Sequence, residues 1–235
     1  MKLTPIHTPV FNEREDLPAF IVKNIPTVTE KSIIAVASKL VCLWKGLSVP
    51  YQNLVQKEQL ILQESERALK TSLAWLTIKN GMVMTNAGID ESNADGKLLL
   101  LPKNCYQAAA ELRAQLKVCW NLSNLGIIIT DSMILPLRAG VIGAAVGYAG
   151  FKGVQDLRGR KDIFNKPLKT TLVDKADCLA SEATLLMGES AEQTPLCVIE
   201  NAPVEFCDKT NADELKYPPQ DDLYGPLFKA VKLIN

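Results

Sequence analysis

Three short stretches set acidic side chains and hydroxyls beside glycines instead of on amphipathic faces: TNAGIDESN at 85–93, IIITDSMILPLRAG at 127–140 and MGESAEQTP at 187–195. Oxygen-only donor sets of this kind suit hard divalent cations such as Mg²⁺ or Mn²⁺, which in turn hold the phosphates of a nucleotide. In the second stretch an apolar run ends directly at Asp131-Ser132, the pattern of a buried strand that delivers a carboxylate to the mouth of a cleft. Capping of the following segment is the alternative reading of Asp131. In the first stretch Gly88 permits a turn, after which Asp90, Glu91, Ser92 and Asn93 stand on a loop that reads equally as a solvated turn. Glu189, directly after Gly188 at a helix end, is the third acidic candidate, with an exposed turn as its plain reading.

Other chemistries are excluded by what is missing. The one histidine, His7, stands in an N-terminal loop, so histidine-based triads and histidine-rich metal sites are ruled out. The six cysteines show no C-x-x-C spacing, which removes a locally encoded zinc site or thioredoxin-like pair. Most lie in apolar contexts such as KLVCLW and PLCVIE and read as free buried thiols of a reducing cytoplasm. There is no G-x-x-x-x-G-K-[ST] phosphate loop and no G-x-G start of a dinucleotide fingerprint. A nucleotide site in this chain is therefore unconventional, and its chemistry runs on carboxylates, hydroxyls, Lys, Arg and bound ions.

The elements that must position these residues are readable in outline. Apolar runs rich in Ile and Val at 32–37, 126–130 and 196–200 predict buried strands. Helix is predicted over 51–75 from its Gln, Glu, Lys and Leu content, over 104–118 behind an Asn104 N-cap, and over 174–187 ending at Gly188. Glycines at 140, 143, 147, 150 and 153 suggest a helix or sharply bent segment that approaches another backbone closely, with direct substrate contact as the second reading. After Cys207, Pro218-Pro219 and Tyr224-Gly225-Pro226 predict turns leading to a short helix around 227–233 in a C-terminal tail, 208–235. The pattern as a whole is α+β or mixed α/β.

The 235 residues suffice for one domain or two intimately packed lobes, and 47% hydrophobic with 22% charged residues is ordinary for a globular protein. A formal net charge of zero without runs of like charge removes the electrostatic footprint of a nucleic-acid binder. The N-terminus lacks the apolar core of a signal peptide, and no stretch is apolar over the roughly 18 residues of a membrane span.

The series Ser38-Lys39, GIDESN at 88–93, ITDS at 129–132, PLRAG at 136–140, D-x-R-G-x-x-D at 156–162 and GES at 188–190 resembles the coenzyme F420-0:γ-glutamyl ligase family, in order and rough spacing, from about Pro9 to Glu200. The resemblance implies a homodimer of two interlocked lobes and a nucleotide-dependent amide ligase that uses GTP or ATP with two divalent ions, Mg²⁺ or Mn²⁺. Carried over by motif, Asp90 and Asp131 hold one ion and Ser132 and Glu189 the other. Ser38, Lys39, Asn93 and the stretch 187–194, with Met187, Gly188, Ser190 and Thr194, line the nucleotide. Asp131 and Arg138 are the catalytic candidates. Arg138 or Arg158 would pair with substrate carboxylates, although Arg158, Arg160 and Lys161 read equally as surface ion pairs.

Departures from the family concern the acceptor. Where its members read D-T-x-G-R-P-W-R, this chain has Asp131-Ser132-Met133-Ile134-Leu135-Pro136-Leu137-Arg138, without the glycine, first arginine and tryptophan; Lys45 also stands where an acidic residue usually precedes Gly46. The T-D-S-x-x-x-P-L-R and G-E-x-x-E-Q-T-P patterns resemble a folate-metabolism γ-glutamate ligase branch. The expectation is thus L-glutamate added to a folate, with F420-0 as the second acceptor and a catalytically retired nucleotide- or cofactor-binding relative as the competing reading of another class.

Overall fold

The computed structural model describes residues 1–230. In chain order the elements are β1 (Lys2–Ile6), α1 (Leu17–Asn24), β2 (Ser32–Ala37), α2 (Ser38–Trp44), β3 (Ser48–Pro50), α3 (Leu54–Glu64), β4 (Arg67–Lys70), β5 (Trp75–Lys79), β6 (Met82–Thr85), β7 (Lys97–Leu99), α4 (Cys105–Trp120), β8 (Leu125–Ile134), β9 (Val141–Ala149), β10 (Val154–Asp156), β11 (Leu172–Asp174), α5 (Lys175–Met187), β12 (Leu196–Glu200) and α6 (Gly225–Ala230). This is a mixed α/β protein. Among the described residues no helix is long and apolar enough to cross a membrane.

The central sheet has the order β1-β12-β2-β8-β9, with only the β2–β8 pair parallel. Its middle strands are apolar without alternation because both faces are covered. Ile34, Val36, Ile127 and Ile129 point into a core shared with α1 and α4, while Ile33, Ala35 and Ile128 face Leu179, Ala180 and Ala183 of α5. The predicted strands at 32–37 and 196–200 coincide with β2 and β12, and the one at 126–130 is the buried half of the longer β8. Helix α4 starts behind Asn104, whose side chain accepts from Gln107 N, and α5 ends at Gly188 with φ 81°, so both expected boundaries hold.

Two expectations are corrected. The long helix over 51–75 stops at Glu64, and the chain then forms the β4–β5 hairpin with Ala68 opposite Thr77 and Lys70 opposite Trp75. A turn built on Thr71, whose hydroxyl accepts from Leu73 N and Ala74 N, breaks the helical pattern, and pairing of β4 with β5, itself paired with β6, outweighs the helix propensity of Arg67–Lys70. The glycine series is a strand, not a helix: Gly143 and Gly147 lie in β9. Close approach, however, is real. A Cβ at 147 would stand 2.5 Å from the backbone carbon of Cys105 in α4, and one at 143 would stand 2.6 Å from the Ala180 carbonyl oxygen of α5.

The tail is tied to the core through Glu214, whose carboxylate accepts from Tyr148 Oη at 2.6 Å and Gly153 N at 2.7 Å. Its last helix begins at Gly225, and positions 231–233 of the expected helix lie outside the described residues. All six cysteines are free; Cys42, Cys105 and Cys197 are buried, but Cys119 and Cys178 are exposed on the outer sides of α4 and α5.

Candidate active site

Parallel pairing of β2 with β8 ends at Ala37 opposite Thr130, and β8 continues past a bulge between Ile129 and Thr130, paired only with β9. A cavity of about 640 Å³ opens there, outside the carboxyl ends of the two parallel strands. The N-terminal loop, the start of β9 at Val141 and four further chain segments line it. The β2–α2 junction brings Ser38 and Lys39, the loop after β6 brings Asp90, Ser92 and Asn93, β8 brings Asp131 and Ser132, and the segment from the end of α5 to β12 brings Met187, Gly188, Glu189, Ser190 and Thr194. Every residue predicted for the nucleotide and the ions thus faces one cavity.

Each segment is held by its own bonds. The turn before Asp90 runs through Asn86, Ala87 and Gly88 at φ 53°, 56° and 68°. Such a run is strained for Asn86 and Ala87, and the Thr77 hydroxyl fixes it by accepting from Ala87 N at 2.8 Å while donating to Met84 O. Backbone bonds in both directions between Asp90 and Leu99 anchor the loop to β7. At the far wall Thr194 Oγ1 donates to Met187 O, and Gln193 O accepts from Thr8 N, so the 188–195 loop closes on itself and on the N-terminal loop.

The charges are arranged in two groups. Lys39 Nζ lies 2.9 Å from Asp90 Oδ2 and donates to Ser92 Oγ at 2.6 Å, while Asp90 Oδ1 accepts from Ser92 N. Burial alone would raise the Asp90 carboxyl, but the Ser92 N–H and the Lys39 ammonium bring it below the usual carboxylate range. Asp131 accepts from Ser38 Oγ at 3.2 Å and from Ser132 N at 3.0 Å, yet burial, reinforced by the nearby Asp90 charge, pushes its carboxyl up to about 6. Ser132 Oγ lies 2.9 and 2.7 Å from the two carboxylate oxygens of Glu189. These two pairs are the residues matched by motif to two ions.

The donor set fits hard cations. Asp90 with Asp131 and Ser132 with Glu189 offer oxygen only, and the Lys39 ammonium already places a positive charge against Asp90. Among the described residues no group of three or more His, Cys, Asp and Glu side chains is arranged to hold an ion alone. Mg²⁺ fits such a site, since it takes one or two protein ligands and completes its shell with water and substrate phosphate.

Arg138 is the exception among the predicted residues. It stands in the turn at 135–140 that joins β8 to β9, where its N–H bonds Leu135 O, and it does not line the cavity of its own chain. Arg158 pairs through its guanidinium with Asp156 at 2.6 and 3.0 Å, the surface ion pair weighed as its alternative. Sequence reasoning missed Thr8, Phe11, Val141 and Thr184, all of which line the cavity. Thr184 carried a usable signal, as a hydroxyl among the small residues of the buried face of α5.

The F420-0:gamma-glutamyl ligase family model matches residues 5–201. The chain is 40% identical over 165 residues to the coenzyme F420:L-glutamate ligase of Methanococcus maripaludis strain C7, a match that covers 69% of this chain and 66% of that protein. It is 36% identical over 168 residues to the protein of that name from Methanocaldococcus jannaschii, covering 71% and 67% of the two chains. With the one from Methanosarcina barkeri it shares 31% over 231 residues, covering 91% of this chain and 89% of that relative. The first match thus spans a little under two thirds of its relative's length. The cavity and the family motifs that line it fall within the matched span, and the chain belongs to the F420-0:gamma-glutamyl ligase family of amide-forming ligases.

Proposed function

We propose that this protein joins the amine of L-glutamate to a carboxylate of coenzyme F420-0 at the expense of GTP or ATP. The observation that carries the reading is the convergence of Asp90, Asp131, Ser132 and Glu189 on one cavity with Ser38, Lys39 and Asn93, in a chain whose relatives bear the name coenzyme F420:L-glutamate ligase. Those names support F420-0 as acceptor ahead of folate, which the altered stretch Met133–Leu137 and the G-E-x-x-E-Q-T-P pattern at 188–195 had favoured. Met133 to Leu137 run from the outer part of β8 into the hairpin turn, and none of them lines the cavity, so their divergence bears less on the acceptor than the sequence suggests.

A carboxylate is a poor acyl donor, so the terminal phosphate is first transferred to it, with release of the nucleoside diphosphate. The glutamate amine then attacks the acyl phosphate carbon, phosphate leaves, and the amine gives up a proton to form the amide. Asp90, Asp131, Ser132 and Glu189 would hold Mg²⁺ or Mn²⁺, which when bound neutralise phosphate charge and keep the reacting oxygens in line. Lys39 exchanges Asp90 for a phosphate oxygen, and Ser38 orients the Asp131 carboxylate. Asn93 and Ser190 close the wall against which the nucleotide lies. Retention of an oxygen donor at all four positions supports an active enzyme over a retired relative.

The homodimer belongs to the same proposal. The end of the β8–β9 hairpin exposes Ile134, Leu135, Leu137 and Val141, with Leu137 fully exposed at φ 56°, and a second copy would cover this apolar tip. Incubation of the purified protein with GTP or ATP, Mg²⁺ or Mn²⁺, L-glutamate and either F420-0 or tetrahydrofolate tests the reading by mass spectrometry. A glutamyl increment on F420-0 is expected; an increment on the folate alone would reverse the choice of acceptor.

A further inference from the structure

Two lysines grip the loop after β6 from opposite sides. Lys39 reaches Asp90 and Ser92 from the cavity, whereas Lys57 of α3 reaches Glu91 from behind, its Nζ 3.1 Å from Glu91 Oε2. Successive side chains point to alternate sides here, so Asp90 and Ser92 line the cavity and Glu91 between them does not. The Lys57 side chain is only 15% exposed, although that of Glu91 is half exposed. An ion pair wholly in solvent would hold little, but a lysine drawn under the loop keeps its stem packed and its ammonium fixed.

A second contact sets the register of α3 on the loop. Ile61, one turn after Lys57 and on the same face of α3, is buried and shares a small core with Ile89 and Leu98. Positions 61 and 57 of the helix thus meet positions 89 and 91 of the loop, one rung apolar and the other charged. The apolar rung supplies packing, and the charged one turns Glu91 outward. When Lys39 exchanges Asp90 for a phosphate oxygen, Lys57 is the cation that continues to hold the loop. We propose that Lys57 and Glu91 are positioning residues for the ion site, their pair keeping the Asp90 carboxylate aimed into the cavity, a role that rests on the metal reading of Asp90 given above. Neither residue touches the ion or the nucleotide.

Calorimetric titration of Mn²⁺ in the presence of GTP compares the wild type with Lys57→Met, Glu91→Gln, the double variant and Lys57→Arg. Loss of charge alone would move the two single variants apart, because removing a cation favours Mn²⁺ binding and removing an anion disfavours it. Positioning instead predicts that both weaken Mn²⁺ binding about tenfold, that the double variant is no weaker than either single one, and that Lys57→Arg stays within about threefold of the wild type. Melting temperatures of the same samples separate this effect from stability. A lower melting temperature with unchanged Mn²⁺ affinity would make the pair structural only and overturn the proposal. Tighter binding by Lys57→Met, or additive losses in the double variant, would overturn it as well. Should Lys57→Met fail to fold, Glu91→Gln decides, since its side chain is half exposed and its unchanged affinity would likewise overturn the proposal. Failure of the wild type to bind Mn²⁺ would overturn the metal reading of Asp90 itself, and this proposal with it.

Discussion

Asn93 Nδ2 donates to the backbone oxygen of Ser190 at 2.9 Å, joining two loops that lie 97 positions apart in the chain. Asn93 holds φ 52°, a conformation that asparagine tolerates better than most residues, and so turns its amide toward the 188–195 loop. This bond fixes the separation of the Asp90 and Glu189 walls. Asn93→Ala should leave the fold intact and weaken nucleotide binding by about fivefold, the equivalent of one hydrogen bond of about 1 kcal/mol. Titration calorimetry against GTP with Mn²⁺ checks the value, and unaltered affinity would remove the bond from the site.

Lys39 sits between stability and function. Its pair with Asp90 is about one third exposed, so replacement by Met should change stability by no more than about 1 kcal/mol. Turnover should fall about 10- to 100-fold, because a charge-assisted bond to phosphate is lost. Urea denaturation and steady-state kinetics on the same preparation separate the two. A large loss of stability with normal turnover would make Lys39 a structural partner of Asp90 only.

Away from the site, Asp174 caps α5, and burial together with the neighbouring Asp177 raises its carboxyl above the ordinary range. A carboxyl raised in the fold binds its proton more tightly there than in the unfolded chain. The stability it contributes is full below the unfolded value near 3.8 and is lost as pH rises toward the folded one. Asp174→Asn keeps a capping side chain and removes the charge. Its urea midpoint should exceed that of the wild type at pH 8, with the difference shrinking at pH 4. A difference that instead grows on acidification would contradict the assignment.

Strands β2 and β12 were legible because their Ile and Val runs are buried on both faces, and α4 and α5 because Asn104 and Gly188 mark their ends. The β4–β5 hairpin was not, since Arg67–Lys70 has helical composition and becomes a strand only through partners supplied later in the chain. The site was legible as three motifs but not as a geometry. Lys39 meeting Asp90, and Asn93 meeting Ser190, are contacts between segments that only the central sheet brings together. Arg138 was placed in the site by its match to the P-L-R-A-G motif, whereas it stands in the turn beyond the end of β8 and does not line the cavity. Thr184 escaped notice although its hydroxyl stands among the small residues of α5, because an isolated threonine in a helix is ordinary.

Leu137 tests the homodimer. Its side chain is fully exposed at the hairpin tip, where burial of an apolar group against a second copy would be favourable. Leu137→Asp should shift the mass measured by light scattering at micromolar concentration from dimer toward monomer without loss of helix or sheet by circular dichroism. A variant that remains fully dimeric would place the interface elsewhere.

We propose that the cavity at the ends of β2 and β8 forms a γ-glutamyl amide on F420-0 with the help of divalent ions. Mass spectrometry of F420-0 incubated with L-glutamate, GTP and Mn²⁺ should show a glutamyl increment with the wild-type protein. The increment should be absent in excess chelator and with Asp131→Asn, whose melting temperature should match or exceed that of the wild type because a buried charge has been removed. Full extension of F420-0 by Asp131→Asn, or by the wild type in chelator, would contradict the account.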